Sequence, residues 1–136
     1  MLESFRFHHI GVAVKNIEKT TQVYVRGGYV HSRTIFDPIQ QVNICWLTKQ
    51  GMPTVELIEP ANALSPVRQI LGKSRVTPYH TCYAVDDINT AIAELCQQSY
   101  VLVKRPVEAT AMNGCMICFM YNKDVGLIEL VEKKET

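Results

Sequence analysis

The 136-residue sequence lacks long hydrophobic runs, an excess of one charge and a rich aromatic content. No stretch approaches the roughly 18 to 20 apolar residues that a membrane span needs, and residues 1–6 contain no hydrophobic signal core. Fourteen basic and thirteen acidic side chains give a formal net charge of +1, so the basic footprint of a nucleic-acid-binding protein is absent. We therefore predict neither a membrane nor a nucleic-acid partner.

Cysteine occurs five times, an odd number that does not suggest a framework of paired disulfides. Cys115 and Cys118 have CxxC spacing, but they lie in an apolar run typical of a strand, where residues three apart face opposite ways. A zinc site would need a second such pair. These features predict reduced thiols and a cytoplasmic protein. The length fits one domain over residues 1–136, with a solvated charged end at Glu132–Glu135.

What the sequence does contain is an internal repeat. The separation that joins His9 to His80 also joins Tyr29-Val30 to Tyr100-Val101. A separation two residues longer aligns two further pairs of segments: Ile44–Leu47 with Ile117–Met120, and Val55–Glu59 with Ile128–Glu132. Because order and spacing agree through four segments, we interpret the chain as two copies of one unit of about 55 residues.

Each copy has the pattern β-α-β-β-β. Alternating side chains predict an opening strand at 8–14 and 79–85, and Asn16 and Asp87 are suitable N-caps for the following helices. Apolar runs then predict strands near 29–36, 42–47, 54–59, 100–104, 115–120 and 126–132. A connector over 60–77 includes a short helix near 66–72, and loops near 31–41 and 104–114 would grip a substrate. The predicted fold is α+β: two tandem βαβββ modules, about 7–60 and 78–132, forming one cleft around a pseudo-twofold axis.

The repeat also carries the candidate site. In the first strand His9 shares a face with two small residues, and the larger side chains of the other face would pack on the helix, leaving the histidine toward open space. His80 has the same position in the second copy. Glu56 and Glu129 each stand between apolar neighbours in the last strand of their copy, where a carboxylate needs a partner.

Two imidazoles and two carboxylates around one axis suit a divalent first-row metal that keeps positions for substrate. Without a cation, two glutamates in one cleft would repel each other. We therefore predict His9, Glu56, His80 and Glu129 as metal ligands. The neighbouring His8 has the wrong strand parity, and His31 has no counterpart in the second copy, which predicts a surface position.

The paired modules, with His-x-x-x-Ala-Val and Val/Ile-Glu-Leu, resemble the vicinal oxygen chelate superfamily over about residues 7–132. That superfamily includes glyoxalase I, methylmalonyl-CoA epimerase, extradiol dioxygenases and bleomycin-resistance proteins. The runs most similar to the epimerases and neighbouring glyoxalase-like proteins are His8–Val14, Glu56–Pro60, Ser65-Pro66, Tyr79-His80, Val85–Ile88 and Gly126–Leu130. The resemblance implies that His9, His80 and Glu129 bind the metal and that Glu56 is the fourth ligand or exchanges protons.

The function this implies is proton transfer next to a carbonyl through a metal-stabilised enolate, as in methylmalonyl-CoA epimerase, with Glu56 or Glu129 as the base. The alternatives are a glyoxalase I-like lactoylglutathione lyase and a metal-free, resistance-type binding protein. An iron dioxygenase is disfavoured, since Glu56 would occupy a position that oxygen or substrate needs. The ion would be cobalt, nickel, manganese, zinc or iron.

The expected partner is a small molecule, either an acyl-CoA or a glutathione thio-adduct. Four basic side chains are available for the phosphates of such a substrate: Arg68, Lys73, Lys104 and Lys123. Many relatives form dimers, so a homodimer is a further expectation of the resemblance.

Overall fold

The computed structural model describes residues 1–134, and it contains two compact units. The N-terminal unit is His9–Tyr79, and the C-terminal unit combines Met1–His8 with the described residues from His80 to Lys134. Glu135, part of the predicted charged end, lies outside the described residues. Helices and strands are mixed in both units, which confirms the α+β class.

The N-terminal unit contains four successive strands after its first helix. Its elements are β1 (Arg6–Ala13, of which residues 9–13 belong here), α1 (Ile17–Arg26), β2 (Val30–His31), β3 (Ile35–Asp37), β4 (Val42–Thr48), β5 (Val55–Pro60) and α2 (Val67–Ser74). The strands lie in the order β2-β4-β5-β1, with β3 also paired to β4. β1 and β5 are parallel, and the other pairs are antiparallel. The short helix predicted near 66–72 in the connector is confirmed as α2.

The C-terminal unit repeats this plan. Its elements are β6 (Thr77–Val85, of which residues 80–85 belong here), α3 (Ile88–Gln97), β7 (Val101–Ala109), a 3₁₀ turn (Thr110–Met112), β8 (Cys115–Asn122) and β9 (Gly126–Glu132). The strand order is β6-β9-β8-β7, with β6 parallel to β9. Since β1 matches β6, β5 matches β9 and β4 matches β8, the predicted duplication is confirmed in the connectivity of both units.

The predicted N-caps begin the two long helices. Asn16 Oδ1 accepts a hydrogen bond from Lys19 N at 3.0 Å, and Asp87 Oδ1 accepts one from Thr90 N at 2.8 Å. Each satisfies an amide that the first helical turn leaves without an intrahelical partner. The backbone hydrogen bond from Thr90 also lowers the pKa of Asp87 below its usual value.

A second carboxylate supports each helix start, and the sequence analysis did not predict it. Glu59 Oε2 accepts a hydrogen bond from Ile17 N at 2.8 Å, and Glu132 Oε2 accepts one from Ile88 N at 2.9 Å. A negative charge at this end also interacts favourably with the helix dipole. The last strand of each module is thus tied to the helix of the same module.

The apolar cores lie on the helix side of each set of strands. In the N-terminal unit Val12, Val14 and Leu57 pack with Ile17 of α1, as the strand parity predicts. In the C-terminal unit the equivalent core joins the apolar stripe of α3 to its strands: Val85, Ile88, Ala91, Leu95, Tyr100, Cys118, Met120, Ile128 and Leu130. The opposite face of each set of strands is left for other side chains.

Two predictions of local structure are wrong. The run near 29–36 is divided into β2 and β3, and β7 continues to Ala109, so residues 104–109 are strand rather than loop. Pairing with β8 extends through Ala109–Cys115, although Pro106 removes one donor from this outer strand. No helix within residues 1–134 is long and apolar enough to cross a membrane.

Candidate metal centre

The N-terminal unit brings together the two ligands predicted in the first copy. Gly11 and Glu56 are register partners on the parallel strands β1 and β5, and His9 lies two residues before Gly11, on the same face. His9 Nε2 is 3.2 Å from Glu56 Oε1, and both side chains are buried. The strand parity predicted from the sequence therefore places His9 and Glu56 on one face, where they form an imidazole–carboxylate pair.

The C-terminal unit contains the matching pair. Cys82 and Glu129 are register partners on β6 and β9, with His80 two residues before Cys82. His80 Nε2 is 3.4 Å from Glu129 Oε1, again with both side chains buried. The same two residue types, at the same strand positions and similar distances, thus occur once in each unit.

Each imidazole packs against an aromatic ring that the sequence analysis did not assign to the site. Trp46 is the register partner of Glu56, and its ring meets that of His9 edge-on, with centroids 4.9 Å apart. Phe119 is the register partner of Glu129, and its centroid lies 5.4 Å from that of His80. Edge-to-face contacts fix the orientation of a ring. The sequence feature that could have identified these two residues is an aromatic side chain at matching positions of the two copies.

The predicted open face is not open at the histidines. His9 and His80 are 0% and 4% exposed, and Ala13 is fully buried. The expectation of an imidazole facing open space is therefore wrong: both rings are buried, and Trp46 and Phe119 each pack edge-on against one of them.

The chemistry of each pair is compatible with a shared proton or with a bound cation. At 3.2 to 3.4 Å the imidazole Nε2 either donates its hydrogen to the carboxylate or, when its hydrogen is on Nδ1, presents a lone pair beside those of the carboxylate, an arrangement that a cation would stabilise. Imidazole and carboxylate are also common ligands of divalent first-row metals. A negative charge is favourable in such a site only when it is compensated, because burial removes water from it.

Glu129 also affects a neighbouring thiol. Burial raises the pKa of Cys118 to about 12, with a further contribution from the negative charge of Glu129. Cys118 lies on the helix face of β8, whereas Cys115 is partly exposed, so the CxxC pair is not a metal site of its own. The five cysteines form no disulfide in the part of the chain that the structure describes.

With these positions established, comparison with known proteins identifies the family. The model of the Glyoxalase/Bleomycin resistance protein/Dioxygenase superfamily matches residues 8–119. The chain belongs to this superfamily. Membership fits the repeated βαβββ plan and confirms the resemblance predicted from the sequence.

Relatives within the glyoxalase/bleomycin resistance/dioxygenase superfamily include methylmalonyl-CoA epimerases. The mitochondrial human enzyme is 29% identical over 130 residues, which cover 92% of this chain and 72% of the human one. A crystal structure of a hypothetical protein from Bacillus halodurans C-125 superposes with a TM-score of 0.87 at 27% identity, covering 98% of both chains.

A third similar protein has been solved with a ligand. A variant of Streptomyces coelicolor methylmalonyl-CoA epimerase in complex with 2-nitronate-propionyl-CoA has a TM-score of 0.81 at 25% identity. The similarity covers 96% of this chain and 98% of that one.

Two other histidines that the sequence analysis considered take no part in these pairs. His8 is exposed, as its strand parity predicts, and His31 is exposed with Nδ1 2.7 Å from the carbonyl oxygen of Ser32. Of the polar residues near the predicted 31–41 loop, Asn43 donates to Glu59 Oε1 at 3.2 Å and so lies on the helix side of β4.

Proposed function

We propose that this protein is a divalent-metal-dependent epimerase that moves a proton at a carbon next to a thioester carbonyl, with a methylmalonyl-CoA-type substrate. The observation that carries the proposal is the occurrence of one buried imidazole–carboxylate pair in each module, on the face opposite the helix. Two such pairs together make a ligand set of two nitrogens and two oxygens.

In this proposal His9, Glu56, His80 and Glu129 hold one divalent ion. The residues fit the group, because each pair already places a nitrogen and an oxygen 3.2 to 3.4 Å apart and buries both. When bound, a divalent cation polarises a carbonyl oxygen and lowers the free energy of the enolate formed next to it. A buried, water-poor site also strengthens that electrostatic effect.

The protein's own contribution is the movement of the proton. Glu56 or Glu129 takes the proton from the carbon between the two carbonyl groups, and the electron pair of the C–H bond enters the enolate. Water then supplies a proton to the opposite face of the planar enolate, which inverts the centre, and the protonated carboxyl group returns its own proton to water. Trp46 and Phe119 keep the imidazoles in place while this occurs.

The relatives support the substrate class. A human relative is a methylmalonyl-CoA epimerase, and the similar Streptomyces protein is an epimerase in complex with an acyl-CoA analogue. Both similarities extend over more than nine tenths of this chain.

The test is proton exchange with solvent. Protein reconstituted with cobalt(II), nickel(II), manganese(II), zinc(II) or iron(II) is incubated with one enantiomer of methylmalonyl-CoA in D₂O, and mass spectrometry follows deuterium in the substrate. We expect deuterium incorporation together with loss of optical purity. Glu56→Gln and Glu129→Gln should each reduce the rate.

Glu59→Gln is the matched control, because Glu59 lies on the same strand as Glu56 but faces the helix. Its exchange rate should equal that of the wild type. Absence of exchange with every ion, in a protein shown to bind metal, would refute the proposal. Turnover of methylglyoxal with glutathione would instead support the glyoxalase I-like alternative.

A further inference from the structure

The outer strand of the C-terminal unit carries a basic side chain on the same face as its histidine–glutamate pair. Glu129 on β9 is the register partner of Phe119 on β8, and Phe119 is the register partner of Lys104 on β7. Register partners on antiparallel strands point to the same side of a sheet. Glu129, Phe119 and Lys104 therefore form one row, with the lysine two strand spacings, about 10 Å, from the glutamate.

The backbone of β7 is irregular at this lysine. The register with β8 shifts between Leu102 and Lys104 and shifts again between Lys104 and Val107. Bulges of this kind bend a strand and redirect a side chain, and they are frequent beside active sites. Without the first shift, Val103 rather than Lys104 would stand opposite Phe119. The irregularity therefore places the charged side chain of Lys104 where regular pairing would place the apolar side chain of Val103.

The environment of Lys104 is also unusual among the basic residues considered for substrate binding. Arg68, Lys73 and Lys123 are exposed, whereas Lys104 is half-buried. Among the side chains that the structure describes, the Lys104 ammonium group has no hydrogen-bond or ion-pair partner, so no described carboxylate neutralises it. A partly desolvated ammonium without a partner favours an anionic ligand.

We infer that Lys104 binds the free carboxylate of a malonyl-type substrate, an inference that rests on the proposed function. Such a substrate has one carboxylate beside the reacting carbon, whereas the phosphates of its CoA group lie at the far end of a long chain. Lys104 lies two strands from Glu129, a position suited to the carboxylate beside the reacting carbon rather than to the distant phosphates. Lys104 would then select dicarboxylic thioesters over simple acyl thioesters.

Binding affinity tests this separately from the rate of proton exchange. Trp46 is the single tryptophan and packs on His9, so its fluorescence serves as the reporter. Three probes are titrated into metal-free and cobalt(II)-loaded protein: methylmalonyl-CoA, methylmalonyl-pantetheine without the phosphates of the nucleotide, and propionyl-CoA without the carboxylate. Lys104→Met should weaken binding of both methylmalonyl probes by about 10- to 100-fold and leave propionyl-CoA unchanged. Lys104→Arg should restore most of the affinity.

Arg105→Met is the matched control, since Arg105 is the exposed neighbour on β7 and the charge change is the same. A loss confined to the two CoA probes would mean that Lys104 binds phosphate and would overturn the inference. Equal affinities in Lys104→Met and Arg105→Met, or no binding to the wild type, would overturn it as well. If Lys104 contributes to binding of the methylmalonyl probes but the protein does not exchange deuterium, the proposed reaction is refuted and the carboxylate-binding role of Lys104 is supported.

Discussion

Glu56 and Glu59 lie three residues apart on β5 and serve opposite faces of the strand. Glu56 Oε1 is 3.2 Å from His9 Nε2, whereas Glu59 Oε2 accepts a hydrogen bond from Ile17 N at 2.8 Å. Glu129 and Glu132 repeat this division on β9. One short strand thus carries a carboxylate for the candidate site and a carboxylate for the fold, and the two roles can be separated by substitution.

Removal of the fold-supporting carboxylate should reduce stability. Glu59→Ala leaves the amide of Ile17 without its acceptor, so we expect the free energy of unfolding to fall by about 1 to 3 kcal/mol in urea denaturation. Glu132→Ala should have a similar effect through Ile88. Affinity for a divalent metal should stay at the wild-type value in both variants. A wild-type unfolding midpoint in Glu59→Ala would contradict this role.

The two helix caps differ in charge, and their pH dependence should differ accordingly. The pKa of Asp87 is lowered from 3.8 in the folded protein by its hydrogen bonds with Thr90. A lowered folded-state pKa means that the ionised cap contributes stability above the unfolded-state value, and that this contribution is lost as the pH falls through the folded-state pKa. Asp87→Asn should therefore flatten the decrease in Tm below about pH 4.

The cap of α1 provides the reciprocal experiment. Asn16 is neutral, so Asn16→Asp should add an acid-side decrease in Tm that the wild-type cap lacks. The measurement is Tm by circular dichroism over a pH series for the wild type and both variants. Identical acid-side slopes in all three proteins would show that neither cap is coupled to pH.

The aromatic partners of the histidines should act as positioning residues. Trp46→Phe gives the N-terminal unit the phenyl ring that the C-terminal unit has at Phe119, and we expect nearly wild-type metal affinity. Trp46→Ala removes the edge contact with His9, and affinity should fall by roughly 10- to 100-fold, as for loss of other groups that orient a ligand. Isothermal titration with cobalt(II) measures both. Equal affinity in the two variants would contradict the positioning role.

Thiol reactivity should separate the cysteines by their surroundings. Cys96 is exposed on α3, whereas Cys118 is buried with a pKa raised to about 12. Because the thiolate is the reactive form, an alkylating reagent at pH 8 should modify Cys96 rapidly and leave Cys118 intact in the folded protein. Mass spectrometry of digested protein identifies the sites. Modification of Cys118 at the rate of Cys96 would refute the prediction.

Sequence periodicity was sufficient for the elements that depend on local rules. The duplication, the caps Asn16 and Asp87 and the pairing of each histidine with its glutamate follow from strand parity and short-range capping chemistry. The strand β7 was predicted too short, because Lys104 to Pro106 interrupt the apolar alternation and only pairing with β8 reveals its length.

The contacts that require two distant segments were not predictable in the same way. Trp46 and Phe119 could be aligned with each other, but their contact with the imidazoles depends on the register of β4 with β5 and of β8 with β9. The roles of Glu59 and Glu132 likewise depend on how the last strand of each module lies against its helix. These are tertiary relationships that no local pattern specifies.

We propose that His9, Glu56, His80 and Glu129 bind one divalent ion together. Metal analysis after reconstitution with cobalt(II) and removal of excess ion tests it most directly, with His9→Ala and His80→Ala as the two half-site variants and Glu59→Gln as the control. We expect one ion per chain in the wild type and control, and an affinity loss in each histidine variant beyond the roughly 10- to 100-fold typical of outer-sphere changes. No ion, two ions per chain, or wild-type affinity in either histidine variant would contradict it.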